Sequence, residues 1–204
     1  MKILITGHTS GIGKALYDYC ICNVAKELEC VHLDSKRFKE FKQYNYKPEG
    51  ATRSNDKPIV DIQKWFNPEV DVFINNAFDD ENPYAQAKAV EYVYNIWKGN
   101  KAKTIISIGS TSADYDKHLY AKGKQLLDQT HQKYWENSRN FGPKMSIIRL
   151  GWTDTPRAEK FHLAYLQGTK LGKLSIKSIC NILFFVLTFN GQIKDITVEP
   201  NYEN

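Results

Sequence analysis

The sequence predicts an α/β fold: one doubly wound domain over residues 1–204, built on a parallel seven-stranded sheet with helices on both faces. Three observations carry this expectation. Short apolar runs of strand type alternate with helical stretches along the chain, an order that sets parallel strands side by side with crossover helices on the sheet faces. The first run passes directly into a glycine-rich turn and then a helix. Polar residues gather where several of the runs stop, and the carboxyl ends of strands are where such sheets bind ligands. No internal repeat, linker or low-complexity tract interrupts the pattern.

Ile3-Leu4-Ile5 is an apolar run of the kind shown by a strand buried on both faces. It stops at Thr6-Gly7, and residues 12–28 then read as a helix, with Ile12, Ala15, Leu16, Tyr19, Cys22 and Val24 giving a partly regular apolar face. Cys30 to Leu33 is a second strand, ending at Asp34. Residues 36–57 are polar and contain Pro48-Glu49-Gly50, so a weak helix and a surface loop are expected there. Ile59 to Ile62 and Val70 to Ile74 are the third and fourth strands, the latter ending at Asn75-Asn76-Ala77. A helix follows from Pro83, suited to a first turn, to Gly99, suited to a C-terminal cap. Thr104 to Ile108 is the fifth strand and closes with Gly109-Ser110. Residues 118–140 form the longest helix, which Phe141-Gly142-Pro143 ends. Met145 to Leu150 is the sixth strand, leading into Gly151 to Pro156. A loop and short helix fill 157–172, a last helix runs from Ser175 to Phe189, and Ile193 to Val198 is the seventh strand.

Composition is that of an ordinary globular domain, 42% hydrophobic and 25% charged. The net charge of +5 comes from scattered residues, with one tight cluster from Lys36-Arg37 to Lys42 that has Glu40 inside it. Nucleic-acid binding is not expected. The four cysteines, Cys20, Cys22, Cys30 and Cys180, have neither metal-ligand nor C-x-x-C spacing. They read as reduced thiols of a cytoplasmic protein, with no metal site. The N-terminus reads as a core strand and not a signal peptide. Ile179 to Phe189 is broken by polar residues and too short to span a bilayer, so no membrane partner is expected.

In the opening stretch KILITGHTSGIGK, Gly7 would permit a tight turn, Gly11 would let the backbone approach a pyrophosphate, and Gly13 would let helix and strand pack closely. The helix N-terminus then offers N–H groups and positive dipole to phosphates. The stretch resembles the TGxxxGIG fingerprint of the short-chain dehydrogenase/reductase family, a Rossmann-like variant with wider glycine spacing. The resemblance extends from Met1 to Val198. It implies a dinucleotide held by Gly7, Thr9, Ser10, Gly11, Ile12 and Gly13.

Asp34 can accept both adenosine ribose hydroxyls and so favours NAD, whereas Lys36 and Arg37 could bind the 2′-phosphate of NADP. The balance tips to NAD, with NADP left open. Asp61-Ile62 resembles the family's adenine-binding Asp-Val pair, and a helix N-cap is the rival role for Asp61. Asn75-Asn76-Ala77 resembles NNAG with Phe78 in place of glycine, which implies that Asn76 and Ala77 line the cofactor while Phe78 crowds the turn. Gly151-Trp152-Thr153-Asp154-Thr155 resembles PGxxxT with Leu150 for proline, so Thr155 would hold the nicotinamide carboxamide. A substrate lid near 156–172 would offer Arg157, Lys160, His162 and Tyr165.

The candidate catalytic pair is Tyr120 and Lys124, whose i, i+4 spacing puts both on one helix face. Tyr84/Lys88 and Tyr94/Lys98 share the spacing, but only Tyr120 opens the helix after a strand that ends in serine. A free phenol has a pKa of ~10, so acid/base work near neutrality requires a fall of about three pH units, roughly 4 kcal/mol. A lysine ammonium and an oxidised nicotinamide could supply it, and the resemblance implies that Tyr120 and Lys124 also contact the cofactor, Lys124 holding the nicotinamide ribose. The resemblance makes Ser110 the group that orients the substrate oxygen. Ser107 lies at the spacing common in relatives, and Ser112 is the alternative if the loop folds differently. The family's fourth catalytic member, an asparagine that anchors a relay water, falls on Asn82 or Asn95.

The expected activity is reversible hydride transfer between a nicotinamide and a small-molecule carbonyl or secondary alcohol. The rival is a non-catalytic dinucleotide-binding redox sensor or scaffold, motivated by Phe78, Leu150 and the small lid. A homodimer or homotetramer is implied by resemblance, through Ala85, Ala89, Tyr92, Val93, Ile96 and Trp97 with Leu126, Leu127 and Tyr134.

Overall fold

The computed structural model describes residues 1–7, 11–19, 62, 66–79, 82–115, 118–155, 158 and 172–201. Strand β1 (Ile3–Ile5) leads to helix α1 (Gly11–Tyr19), and β2 (Val72–Asn75) leads to α2 (Ala85–Trp97). Strand β3 (Thr104–Ser110) is followed by the short α3 (Ser112–Tyr115) and the long α4 (Leu119–Phe141). Strand β4 (Lys144–Leu150), α5 (Ile176–Thr188) and β5 (Asp195–Val198) complete the order. The described strands form one parallel sheet, ordered β1-β2-β3-β4-β5. The expected strand at 30–33, and residues 59–61 of the next, lie outside the described residues. Ile62 corrects the sequence reading. It is helical, its carbonyl accepting the Phe66 N–H at 2.8 Å. A four-residue apolar run does not distinguish a buried strand from a buried helical turn, and here Ile62 is sealed against Phe66, Val70 and Phe73.

Side-chain alternation divides the sheet cleanly. Ile3, Ile5, Val72, Ile74, Ile106, Ile108, Ile148 and Leu150 face one cluster, closed by Leu16 of α1 and Ile179, Leu183 and Val186 of α5. Leu4, Phe73, Ile105, Met145 and Ile147 face the other, closed by Val90, Val93, Tyr94 and Trp97 of α2 and Leu127 of α4. Period-two alternation in the strands, with α1 and α5 on one face and α2 and α4 on the other, makes the fold doubly wound. Burying each such side chain stabilises the fold by about 1.5–3 kcal/mol.

The helix ends have local causes. Ser175 caps α5 by accepting the Ser178 N–H at 3.1 Å. Gly99, at φ +88°, takes the left-handed conformation just past α2. Gly142 follows α4, its N–H bonded to the Ser138 carbonyl. Of the residues named for self-association, Val93, Trp97 and Leu127 cover the sheet, as residues on these helices must. Ile96 is exposed, and Ala89, Tyr92 and Tyr134 pack half-buried beside the core. Among the described residues no helix is long and apolar enough to cross a membrane.

Candidate active site

The carboxyl ends of β1 to β4 bring the polar segments together. Thr6 ends the β1 ladder, and its Oγ1 accepts the N–H groups of Asn76 and Ala77, both at 3.0 Å. Asn76 Nδ2 returns bonds to the carbonyls of Thr6 (3.1 Å) and Gly7 (3.3 Å). The two turns are therefore one hydrogen-bonded unit. Gly7 has φ +69°, in the left-handed region that favours glycine. A Cβ on Gly13 would stand 2.0 Å from the Gly7 carbonyl oxygen and 2.4 Å from Asn76 Nδ2. The start of α1 thus packs directly on this unit. At Gly11 a Cβ would meet only Thr155 Cγ2, at 3.9 Å, among the described residues. The first turn of α1 carries no acidic side chain, so its N–H groups and dipole are not countered there by a carboxylate. This cradle fits a phosphate-bearing ligand. Thr155 faces it from the β4 side, with its N–H on the Thr153 carbonyl (2.9 Å) and its Oγ1 accepting from Ala158 (3.2 Å).

Ser110 is the last residue of β3, almost fully buried, with its hydroxyl 3.0 Å from that of Ser112. The Ser112 N–H donates to Ser110 Oγ at 3.3 Å. Ser107 lies deeper in the strand and on the face towards α2 and α4, where its Oγ is 2.8 Å from His131 Nε2. Tyr120 and Lys124 occupy the first turns of α4. Between them, a Cβ on Gly123 would come within 2.3 Å of the Pro83 carbonyl oxygen. Only glycine allows α4 to lie this close to the segment entering α2. Lys124 is buried, and Nζ donates to the Ile108 carbonyl (2.8 Å) and to Gln86 Oε1 (2.7 Å). Nζ lies 5.5 Å from the centre of the Tyr120 ring and 5.4 Å from that of Phe78, within the range of cation–π attraction. The Phe78 ring meets Tyr120 edge-on at 4.6 Å. The residue that departs from the NNAG pattern therefore leans on the candidate catalytic phenol.

Asn82 is buried just before α2, and its carbonyl accepts the Ala85 N–H at 3.0 Å. Asn95 is exposed towards the other end of α2. Ile12 is half-buried in α1 against the α1/α5 cluster. Ile62 sits in the opposite cluster. Thr9, Ser10, Asp34, Lys36, Arg37, Asp61 and the lid residues Arg157, Lys160, His162 and Tyr165 lie outside the described residues. Sequence reasoning missed Thr6 and Gln86. Gln86 carried a signal: it stands in the buried stripe of α2 with Ala87, Val90, Val93, Tyr94 and Trp97, a polar residue at an apolar position.

Beside α4, Arg149 pairs with Asp114 (2.5 Å) and Asp128 (3.2 Å). Burial, opposed by the Arg149 charge, raises Asp128 to about 6. His131 is enclosed, and burial alone lowers it to about 3, so it stays neutral near neutral pH. Cys180 is buried in α5, where burial and the Asp18 charge raise its thiol. Among the described residues no cluster of three His, Cys, Asp or Glu could hold a metal ion.

No protein-family model matches the chain, and no curated protein matches it significantly. Solved structures do match. The closed form of serine dehydrogenase complexed with NADP+ superposes with a TM-score of 0.65 at 17% identity, covering 98% of this chain and 95% of that one. A short-chain dehydrogenase/reductase from Vibrio parahaemolyticus gives 0.63 at 17% identity, covering 99% and 100%. The 7α-hydroxysteroid dehydrogenase complexed with NADH and 7-oxo glycochenodeoxycholic acid gives 0.62 at 17%, covering 97% and 92%. The chain has the short-chain dehydrogenase/reductase fold. Within that fold its glycine turn, Asn76 unit, Ser110 and the Tyr120/Lys124 helix all fall at the carboxyl ends of the strands, where open α/β sheets bind ligands.

Proposed function

We propose that this protein is an NAD(P)-dependent oxidoreductase acting on a small carbonyl compound or secondary alcohol. The observation that carries the reading is the Lys124 ammonium, buried, bonded to the Ile108 carbonyl two residues before Ser110, and set 5.5 Å from the Tyr120 ring. A nicotinamide dinucleotide, when bound, supplies or accepts the hydride. The α1 N-terminus, with Gly11 and Thr155, would hold it. Structural likeness to proteins described with NADP+ or NADH supports this class of cofactor, and Asp34 is the reason to favour NAD.

In this reading Tyr120 gives its phenolic proton to the nascent alkoxide during reduction and takes a proton from the alcohol during oxidation. Lys124 stabilises the phenolate by its charge, which lowers the phenol from its ordinary value of ~10 towards working pH. Ser110 donates its hydroxyl proton in a hydrogen bond to the substrate oxygen, orienting it and stabilising negative charge as it develops. The Phe78 ring helps to keep water from the phenol–ammonium pair. The protein is further proposed to be cytoplasmic and to self-associate through the outer surface of α2 and α4 around Ile96. Sedimentation showing only monomer at micromolar concentration would end the self-association proposal.

The test pairs binding with turnover. Nicotinamide fluorescence follows NADH and NADPH titrations of wild type and Tyr120→Phe, and both proteins are assayed against a carbonyl panel. Tyr120→Phe should bind cofactor unchanged and lose at least ~100-fold in turnover, the lower range for a lost general acid. Phe78 on the phenol is the observation that favours the second reading, a redox sensor. Tight cofactor binding with no wild-type turnover on any substrate would shift the balance to that reading.

A further inference from the structure

A chain of buried polar side chains runs beneath the site on the α2/α4 face of the sheet. His131 Nε2 lies 2.8 Å from Ser107 Oγ, and Asn75 Nδ2 reaches that same oxygen at 3.5 Å. Asn75 Nδ2 also donates to the Gln86 carbonyl at 2.9 Å, while Gln86 Nε2 donates to the Asn75 carbonyl at 3.1 Å. The chain ends where Gln86 Oε1 accepts from Lys124 Nζ at 2.7 Å. Gln86 and Lys124 are each 3% exposed.

We propose that Gln86 is a positioning residue for the acid/base pair: it holds the Lys124 ammonium at the Tyr120 ring with a neutral acceptor. The inference rests on the oxidoreductase reading of Tyr120 and Lys124. The orientation of the Gln86 amide is unambiguous. A backbone carbonyl can only accept, so the NH2 group faces Asn75; an ammonium can only donate, so the oxygen faces Lys124. Both ends of the amide are thereby fixed, one to the sheet and one to the lysine.

The neutrality of the acceptor is the functional point. A bond from an ammonium to an uncharged oxygen is charge-assisted and compensates burial, yet leaves the positive charge undiminished. A carboxylate in the same place would cancel that charge where the phenol needs it. The other acceptor, the Ile108 carbonyl, is neutral too. Among the groups around Lys124, Asn75 and Ser107 from the strands are uncharged, and His131 on α4 is held neutral by burial. Asp128, one turn along α4, feels the Lys124 charge and is itself engaged with Arg149, which also pairs with Asp114. The two acceptors, Gln86 Oε1 and the Ile108 carbonyl, therefore leave the Lys124 charge uncancelled beside Tyr120.

The test titrates Tyr120 in the full chain without cofactor, by NMR of protein carrying 13Cζ-tyrosine, with Tyr120→Phe assigning the resonance. Gln86→Glu should raise the Tyr120 midpoint by about one pH unit, a tenfold change. Gln86→Met, which removes the acceptor without adding charge, should raise it by about half as much, and it serves alone if the glutamate variant does not fold. Lys124→Met should raise it most. Wild-type midpoints in both Gln86 variants, with Lys124→Met shifted, would overturn the role of Gln86 and leave the acid/base reading standing. A Tyr120 midpoint of ~10 in wild type, unmoved by Lys124→Met, would overturn both.

Discussion

His131 makes the acid stability of this fold measurable at a single residue. Its ring is enclosed between α4 and β3, bonded to Ser107, and burial lowers it from 6.5 to about 3. In the unfolded chain the imidazole takes up a proton near its ordinary value, whereas in the folded chain it stays neutral until the pH is far lower. The stability it contributes is complete above about pH 6.5 and is lost as pH falls towards about 3. At about 1.36 kcal/mol per unit, lowering the pH from neutrality to about 4.5 removes about 3 kcal/mol. That is a large share of the 5–15 kcal/mol typical of a whole domain, roughly stated. The assay is urea unfolding of wild type and His131→Gln, followed by tryptophan fluorescence at several pH values between about 7.5 and 4.5. Glutamine can still bond Ser107 but does not titrate. The variant should be less stable at the upper pH by a fixed packing cost, and the gap should close by about 3 kcal/mol at the lower one. Stability curves that run parallel across this range would refute the buried neutral imidazole.

Asp128 should act with the opposite sign. Its folded value, about 6, lies above the ordinary 3.8, so the folded state binds the proton more tightly and wild type loses stability as pH rises through this window. Because the carboxylate is partly exposed, the effect is discounted to about 1–2 kcal/mol. Denaturant unfolding should show Asp128→Asn gaining on wild type by that amount between about pH 4 and 7; a constant difference would contradict it. Gly13→Ala places a methyl within 2.0 Å of the Gly7 carbonyl oxygen. It should cost about 1–3 kcal/mol in stability and, on the proposed function, weaken NADH binding at least ~10-fold, equivalent to about 1.4 kcal/mol. Thermal unfolding and cofactor fluorescence read the two effects separately.

The fold was legible where periodicity and turn chemistry agreed. Ile105 to Ile108 and Met145 to Leu150 alternate between the two clusters, and the helix expected to end at Phe141-Gly142 does so. Ile62 was misread because a short apolar run carries no period of its own. At the site, Ser110 and Tyr120 could be picked out by their place at a strand end and a helix start, a local property. Phe78 stood out only as a departure from NNAG, and neither its contact with Tyr120 nor that of Gln86 with Lys124 could be read locally. What each touches depends on how α2 and α4 meet, which in turn depends on the close approach of Gly123 to Pro83. A glutamine in a helix advertises nothing unless its neighbours at helical spacing are seen to be buried.

Both faces of the sheet hold their helices by hydrocarbon contact, and one of them adds a buried polar network. Hydrocarbon contact joins α1 and α5 to one face, and such contact has no preferred direction. The opposite face is indexed. Donors and acceptors on Asn75, Ser107, Gln86, Lys124 and His131 are satisfied together only in one alignment of α2, β3 and α4, and hydrogen bonds weaken steeply with misalignment. The side chains of the proposed acid/base pair therefore take their alignment from the α2/α4 face, while the glycine cradle at the start of α1 is set from the other.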